Sequence, residues 1–256
     1  MSWSVGAGLE GRGVLVTGAA GGIGREVARA FAAAEANVVA VDVMAGALET
    51  LVSDLPGPGR HSAIAADLSD LGALDALARA ARDAAGSLDV LAHVAAVILR
   101  RDDVDAVSEE DWALQEAVNL RAGFFLNRAV ARVMREQGRG GRIVNFASQG
   151  WMTGGFGGSV VYAATKGGVV SMSRGLARTY GPDGILVNCV SPGAVDTPML
   201  RDGMSDEALE RFRAQIPLGR FAAPEELAGA VVFLASAHAS YITGAVLNVS
   251  GGQLMY

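Results

Sequence analysis

The sequence predicts a doubly wound α/β fold, in which helices cover both faces of a central parallel sheet of about seven strands. Short runs rich in valine, isoleucine, leucine and alanine alternate along the chain with longer stretches of helical periodicity. Parallel strands have this apolar composition because helices bury them on both faces. The alternation has no internal repeat, low-complexity linker or break in composition, so we expect residues 1–256 to form one domain.

The apolar runs and the periodic stretches between them predict the elements in order. The predicted strands are 13–17, 37–42, 61–66, 88–94, 141–148, 185–190 and 245–249. The predicted helices are 22–35, 45–55, 71–85, 109–136, 160–180, 206–215 and 224–236. Three of these helices also carry start signals: Ser108 with Asp111 three residues later, Ser205 before two acidic residues, and Pro224 before two more.

Composition excludes several classes of function. The 256 residues carry 21 basic and 27 acidic side chains, a net charge of −6, with no basic run. Nucleic acids and anionic membranes bind clustered lysine and arginine, so we expect neither as a partner. No apolar stretch approaches the 18 or more residues that span a bilayer. The N-terminus lacks a secretory pattern and Cys189 is the single cysteine, so we expect a cytoplasmic protein without an intrachain disulfide.

The three histidines give no metal site. They are His61, His93 and His238, and they are scattered without the spacing of metal ligands. We therefore expect no bound metal ion.

A glycine-rich loop follows the first strand directly. Residues 17–24 read Thr-Gly-Ala-Ala-Gly-Gly-Ile-Gly, and a helix starts there. Glycines let the backbone turn sharply and approach a pyrophosphate at the positive end of a helix dipole. The loop therefore predicts a Rossmann dinucleotide site. The residues assigned to it are Gly18, Gly22, Ile23 and Gly24.

Two acidic residues end the next strands. Asp42 lies 18 residues after Gly24, near the spacing at which a carboxylate meets the ribose hydroxyls of the adenosine. A carboxylate repels a 2′-phosphate, and no neighbouring cation offsets this, so NAD is expected over NADP. Asp67 can meet the adenine amino group. The alternatives are a turn former for Asp42 and a helix cap for Asp67.

The single lysine of the chain, Lys166, follows Tyr162 by four residues within a predicted helix. Residues four apart share one helical face, so the ammonium can lie near the phenol. A tyrosine with a pKa near 10 is about 0.1% ionised at pH 7. A nearby positive charge lowers that pKa, so the pair predicts a general acid and base.

Two polar residues complete the predicted catalytic set. Ser148 stands at the end of the fifth predicted strand, at the sheet edge where such folds bind ligands, and its hydroxyl can hold a substrate oxygen. Asn119, in the helix after the fourth strand, can hold a water linked to Lys166. Taken alone, each would be an ordinary turn or helix residue.

Together these residues resemble the short-chain dehydrogenase/reductase family, in the single-domain NAD-dependent branch with secondary alcohol dehydrogenases and 3-oxoacyl carrier-protein reductases. The resemblance runs from the glycine loop through the residues above to the segments 191–199, SPGAVDTPM, and 240–252, SYITGAVLNVSGG. It implies that Tyr162 is the acid/base, Ser148 positions the carbonyl, and Lys166 binds ribose and shifts the phenol pKa.

The resemblance assigns further positions. It places Asn119 in a proton relay, Asp67 and Leu68 beside the adenine, and Val195 and Thr197 at the nicotinamide carboxamide. It also implies a homo-oligomer, commonly a tetramer. One departure is notable: residues 93–96 read His-Val-Ala-Ala where the family usually has Asn-Asn-Ala-Gly, so side-chain hydrogen bonds there are missing or replaced.

The segment 192–223 has the length and proline punctuation of an insertion that closes over the nicotinamide and sets specificity. Apolar side chains here and after the fifth strand predict a mainly carbon-rich small molecule, with packing or subunit contact as the alternative. The residues assigned to the substrate are Ser148, Gln149, Trp151, Phe156 and Met199.

Three functions fit these residues. The leading one is an NAD-dependent oxidoreductase that interconverts a secondary alcohol and a ketone. An epimerase or dehydratase that uses NAD would keep its cofactor bound and show no net change in NADH. A non-catalytic NAD-binding regulatory protein would leave the set of Ser148, Tyr162, Lys166 and Asn119 without a purpose.

Overall fold

A computed structural model describes residues 4–156, 158–202 and 204–256. It contains one seven-stranded sheet in the order β3-β2-β1-β4-β5-β6-β7, and every neighbouring pair is parallel. The strands are β1 (Gly13–Thr17), β2 (Asn37–Asp42), β3 (Ser62–Ala65), β4 (Val90–His93), β5 (Gly141–Phe146), β6 (Ile185–Pro192) and β7 (Val246–Val249). The predicted doubly wound α/β fold is confirmed.

Helices cover both faces of the sheet. In the described residues they are α1 (Gly22–Ala33), α2 (Ala45–Ser53), α3 (Leu74–Ala85), α4 (Glu109–Glu116), α5 (Ala122–Gln137), α6 (Gly150–Thr153), α7 (Val160–Tyr180), α8 (Pro198–Arg201), α9 (Asp206–Arg213) and α10 (Pro224–Ala235). None of these helices is both long enough and apolar enough to cross a membrane.

The core divides at the sheet because successive strand residues point to opposite faces. In β1, Val14 and Val16 pack into the cluster that α1 and α10 cover. Leu15, between them, packs into the other cluster with Leu91 of β4, under α3 and α5. All of these side chains are buried, which explains why the strands read as continuous apolar runs.

The helix start signals have their predicted partners. The Ser108 hydroxyl accepts a hydrogen bond from the Asp111 amide, while the Asp111 carboxylate accepts one from the Ser108 amide. Ser205 caps α9 in the same way. Pro224 is the first residue of α10. Proline lacks an amide hydrogen, but at this position an amide would have no partner within the helix, so no hydrogen bond is lost.

Most elements have a boundary that differs from the sequence prediction by one to three residues, and two differences bear on the site. Strand β5 ends at Phe146, so Ser148 lies two residues beyond the strand. The helix predicted over 109–136 is interrupted by a π-helical turn, Ala117–Arg121, which contains Asn119. Such turns insert one extra residue and have no signature in hydrophobic periodicity. Strand β6 runs two residues further than predicted, to Pro192.

The packing of β4 gives a stability prediction. Leu91 is fully buried, and truncation there leaves a cavity that the sheet cannot close, so Leu91→Ala should lower the free energy of unfolding by roughly 3 kcal/mol. Leu114→Ala is the matched control, because Leu114 is 46% exposed and should change it by less than about 0.5 kcal/mol. Urea titrations of both variants measure the difference, and equal losses would contradict the described core.

Candidate active site

A cavity of about 350 Å³ lies at the carboxyl edge of the sheet. Its walls come from the loops after β1, β4, β5 and β6, together with α7 and α8. This is the edge at which open α/β sheets bind ligands, because β1 and β4 are neighbours whose following helices leave on opposite faces. Most predicted site residues line it: Gly18, Gly22, Ile23, Gly24, Asp42, Ser148, Gln149, Phe156, Tyr162, Lys166, Val195, Thr197 and Met199.

The glycine loop has room only for glycine at its key positions. Gly18 has a left-handed φ of +66°, and a Cβ there would lie 2.7 Å from the Cα of Ala95. A Cβ on Gly22 would lie 2.8 Å from the Thr197 Cγ2, so two predicted cofactor residues from distant segments meet here. The backbone therefore forms the close cradle that a pyrophosphate requires at the start of α1.

Asp42 lies where the sequence predicts it, at the end of β2 and at one end of the cavity. Its Oδ2 accepts a hydrogen bond from the Ala20 amide at 3.1 Å, and its Oδ1 accepts one from the Met44 amide at 3.2 Å. These bonds fix the carboxylate beside the glycine loop. The residues present thus fit a dinucleotide: a cradle free of side chains and a carboxylate for ribose hydroxyls.

Asp67 and Leu68 are not among the residues that line the cavity. The Asp67 carboxylate is exposed and accepts hydrogen bonds from the amide and the hydroxyl of Ser69, at 2.9 and 2.8 Å, which lower its pKa. Leu68 is buried in the core under α3. The geometry matches a turn-forming role for Asp67, and the adenine contact of both residues stays a prediction.

Ser148 and Tyr162 both line the cavity, and the Ser148 hydroxyl is near enough to the phenol to lower its pKa. The Ser148 Oγ accepts a hydrogen bond from the Gly150 amide at 3.2 Å. Burial raises the pKa of Tyr162 to about 12, while the Arg100 guanidinium and the Ser148 hydroxyl act in the opposite direction. In the cavity as described, the phenol is therefore a proton donor at pH 7.

Lys166 lies one helical turn after Tyr162 and is 2% exposed. Its Nζ donates a hydrogen bond to the Phe146 carbonyl at the end of β5, at 2.8 Å, and lies 5.4 Å from the centre of the Tyr162 ring. Burial lowers the pKa of Lys166 to about 8, against a smaller opposing effect of the Cys189 thiol. Tyr162 and Lys166 share a helical face, as predicted. The cation that lowers the pKa of Tyr162 in this structure, however, is Arg100.

Asn119 holds the segment after β4 in place. Its Oδ1 accepts a hydrogen bond from the Val97 amide and its Nδ2 donates to the Val97 carbonyl, both at 2.8 Å. The Nδ2 also donates to the Thr165 hydroxyl at 3.3 Å, next to Lys166 in α7. Asn119 is buried and is not among the cavity-lining residues, so its predicted relay role stays a prediction.

His93, the main departure from the family pattern, has a partner of its own. Its Nδ1 lies 2.8 Å from the hydroxyl of Thr17 in the adjacent strand β1, and that hydroxyl also accepts from the Ala95 amide. Burial, with a smaller effect of the Lys166 charge, lowers the pKa of His93 to about 3, so the ring is neutral. A Cβ on Gly123 would lie 3.2 Å from its Nε2. Position 93 therefore has a side-chain hydrogen bond of its own, whereas Val94 and Ala96 supply none and the His93 Nε2 has no hydrogen-bond partner among the described residues.

The predicted substrate residues separate into two groups. Gln149, Phe156 and Met199 line the cavity with Ser148. Trp151 does not, because its indole packs edge-on against Tyr256, with ring centres 5.3 Å apart. Its alternative role, packing, is the one that the structure describes.

Arg100 is a cavity residue that the sequence did not single out. It is partly buried, and its Nη1 donates hydrogen bonds to the carbonyls of Met199 and Asp202, at 3.2 and 2.8 Å. The adjacent Arg101 instead pairs with the Asp111 carboxylate. Neither charge nor periodicity distinguishes two consecutive arginines in a loop, so no sequence signal marked the first as a site residue.

Comparisons with known proteins agree with this geometry. Residues 18–253 match the model of a family described as enoyl-(acyl carrier protein) reductase. A D-threitol dehydrogenase of Mycolicibacterium smegmatis is 41% identical over 248 residues, 95% of this chain and 93% of that protein. A 3-oxoacyl-[acyl-carrier-protein] reductase of Thermotoga maritima is 37% identical, over 96% of this chain and 99% of that protein.

Solved structures give the same result. A glucose/ribitol dehydrogenase of the short-chain type from Brucella melitensis superposes with a TM-score of 0.88 at 33% identity, over 97% of this chain and 98% of that one. Fold, site and relatives together define a dinucleotide-binding oxidoreductase. The chain belongs to the short-chain dehydrogenase/reductase family, whose members use NAD or NADP, and it acts on CH–OH groups.

The burial of Lys166 gives a prediction for its chemistry. Because the pKa of Lys166 is about 8, half of the protein molecules have an uncharged Lys166 near pH 8. An ordinary lysine is half deprotonated only near pH 10.4. Trace acetylation with acetic anhydride, followed by peptide mass spectrometry, should give a rate midpoint near pH 8. Unfolding in urea should move that midpoint above 10, and a folded midpoint already above 10 would contradict the described burial.

Proposed function

We propose that the protein is an NAD-dependent dehydrogenase that interconverts a secondary alcohol and a ketone, with Tyr162 as its general acid and base. The observation that carries this proposal is the placement of the Ser148 and Tyr162 hydroxyls in one cavity, which begins at the glycine loop. Two hydroxyls side by side can hold one substrate oxygen and exchange one proton with it.

The proposed mechanism assigns a task to each catalytic side chain. When bound, the nicotinamide accepts or supplies the hydride. Ser148 donates a hydrogen bond that holds the substrate oxygen, and the Tyr162 Oη moves the proton to or from that oxygen. Because burial raises the pKa of Tyr162 to about 12, the phenol is ready to protonate a ketone reduced in the cavity. Alcohol oxidation requires the opposite shift, which nearby positive charge provides.

Lys166 and Asn119 support this proton transfer in the proposal. The Lys166 ammonium, held by the Phe146 carbonyl, would bind the nicotinamide ribose and add positive charge beneath the phenol. Asn119 would form part of a proton relay towards Lys166, and its bond to Thr165 already places it beside the same helical turn.

We propose cofactor contacts from the placement of the remaining residues. The backbone at Gly18, Gly22, Ile23 and Gly24 would bind the pyrophosphate at the start of α1. Asp42 would accept hydrogen bonds from the adenosine ribose, Val195 and Thr197 would contact the nicotinamide carboxamide, and Asp67 and Leu68 would border the adenine. Support comes from the cradle geometry and from the fixed carboxylate of Asp42.

The substrate would lie against the residues around Ser148. Gln149, Phe156 and Met199 line the cavity there, and the ring of Phe156 packs against that of Phe212, 5.5 Å away, in the segment 192–223. Relatives named as D-threitol, L-rhamnose and galactitol dehydrogenases support a small alcohol or ketone. We further propose one domain, a homotetramer and a cytoplasmic location.

Replacement of the proposed acid/base tests the mechanism. Tyr162→Phe removes the group that moves the proton, so kcat/KM should fall by about 10²- to 10⁴-fold. The measurement is NADH absorbance during turnover of the best substrate from a panel of secondary alcohols and ketones. Tyr241→Phe is the control, because Tyr241 is fully exposed. Undiminished activity in Tyr162→Phe, or product formation without net NADH change, would contradict the proposal.

The cofactor preference has a separate test. The Asp42 carboxylate attracts ribose hydroxyls and repels a 2′-phosphate, so the wild type should bind NAD at least about tenfold more tightly than NADP. Asp42→Ala should weaken NAD and strengthen NADP, measured by calorimetry. Asp54→Ala, an exposed change of the same charge near the end of α2, should leave the ratio unaltered. Tighter binding of NADP by the wild type would refute the role of Asp42.

A further inference from the structure

The proposed substrate end of the cavity combines an apolar wall with a positive charge. Its apolar side chains include Ile98, Phe156, Met199, Leu200, Met204 and Phe212. Four titratable residues line the cavity, namely Asp42, Arg100, Tyr162 and Lys166. Asp42 is bonded to the glycine loop through the Ala20 amide. Arg100 bonds to Met199 and affects the pKa of Tyr162, so its charge belongs to the end where the reaction occurs.

The Arg100 charge has no ion-pair partner within 4 Å among the described residues. Its contacts are two backbone carbonyls, while the Asp202 carboxylate acts only through space. Burial lowers the pKa of Arg100, although a guanidinium remains charged at every relevant pH. Partly buried charges are costly unless they are paired, so an anion at this position would be strongly favoured.

The hydrogen-bonding capacity of Arg100 is only partly used. Within the described part of the chain, Nη1 makes both side-chain hydrogen bonds, and neither Nε nor Nη2 donates one. The Nε and Nη2 hydrogens form the planar fork that binds both oxygens of a carboxylate. The bonds from Nη1 fix the direction of this fork, because they tie the guanidinium to the start and the end of α8.

Gln149 is a second, independent sign of a polar ligand. The residue is 5% exposed and lines the same cavity, and its Oε1 is buried with no hydrogen-bond partner among the described residues. Buried amide oxygens almost always accept a hydrogen bond, and a hydroxyl group of the substrate would donate one here. A purely hydrocarbon substrate would leave both the Arg100 fork and the Gln149 amide unsatisfied.

We propose that the substrate is a hydroxy acid, or the corresponding keto acid, whose carboxylate is bound by Arg100. This inference rests on the proposed function. In the oxidation, the bound nicotinamide would accept the hydride of the carbinol carbon and the Tyr162 phenolate would accept the hydroxyl proton, so that the keto acid forms. The carbon atoms between the carboxylate and the reacting centre lie along the apolar wall, which accounts for the carbon-rich character that the sequence predicts.

Matched substrates test this specificity. We would assay 2-, 3- and 4-hydroxycarboxylic acids with NAD, each beside its primary carboxamide, which has the same shape without the charge. In the wild type, kcat/KM for the best acid should exceed that for its carboxamide by at least about tenfold, as expected for one charge-assisted bidentate contact. Arg100→Gln keeps an amide donor for the backbone carbonyls but removes the charge, so this ratio should fall to about one.

Arg201→Gln is the control variant. It removes the same charge from the same α8 region, but Arg201 pairs with Asp196 at the surface and is not a cavity-lining residue, so the ratio should match the wild type. Turnover of neutral alcohols with no preference for any acid would overturn this inference and leave the proposed function intact. A preference that persists in Arg100→Gln would also overturn the role of Arg100.

A binding measurement separates this inference from turnover. Calorimetric titration of the NAD-loaded protein with the saturated carboxylic acids of the same chain lengths, which carry no hydroxyl to oxidise, should give tighter binding than with their carboxamides. The difference should disappear in Arg100→Gln. Equal binding of acids and carboxamides to the wild type would overturn the inference even if no substrate were turned over.

Discussion

All the features of the site depend on the parallel pairing of β1, β4, β5 and β6. Because these strands run in one direction, the loops that follow them leave from the same edge of the sheet. The glycine loop, the His93 segment, Ser148 and the Val195 segment come together there although nearly 180 residues separate the first from the last. The hydrogen bond from Lys166 to the Phe146 carbonyl then fixes α7 to this edge, which places Tyr162 over the cavity.

Burial and nearby positive charge shift the pKa of Tyr162 in opposite directions. The same low-dielectric surroundings raise the pKa of the Tyr162 phenol and lower that of the Lys166 ammonium, so both groups are driven towards their neutral forms. Arg100 differs because a guanidinium keeps its charge when it is buried. Arg100 is therefore a permanent cation near a phenol that must change its protonation state. Lys166, in contrast, is a cation that can lose its charge.

The sequence predicted the parts of the site that local geometry determines. Tyr162 and Lys166 share a helical face because of their spacing, and the glycine loop and Asp42 follow from strand ends and close backbone approach. Three features depend on tertiary contacts that periodicity does not encode. Arg100 is placed by the carbonyls of a segment about 100 residues away, Trp151 by the C-terminal Tyr256, and Asn119 by its hydrogen bonds with Val97 and Thr165.

The pair of His93 and Gly123 constrains how this protein can change over evolutionary time. The imidazole packs so closely over α5 that a methyl group at position 123 would lie 3.2 Å from its Nε2 and would require a small shift of the ring. Asparagine at position 93 would open that space, so alanine at position 123 should cost less stability there than it does beside the histidine. The two positions are therefore coupled, and the effect of alanine at position 123 on stability depends on the residue at position 93.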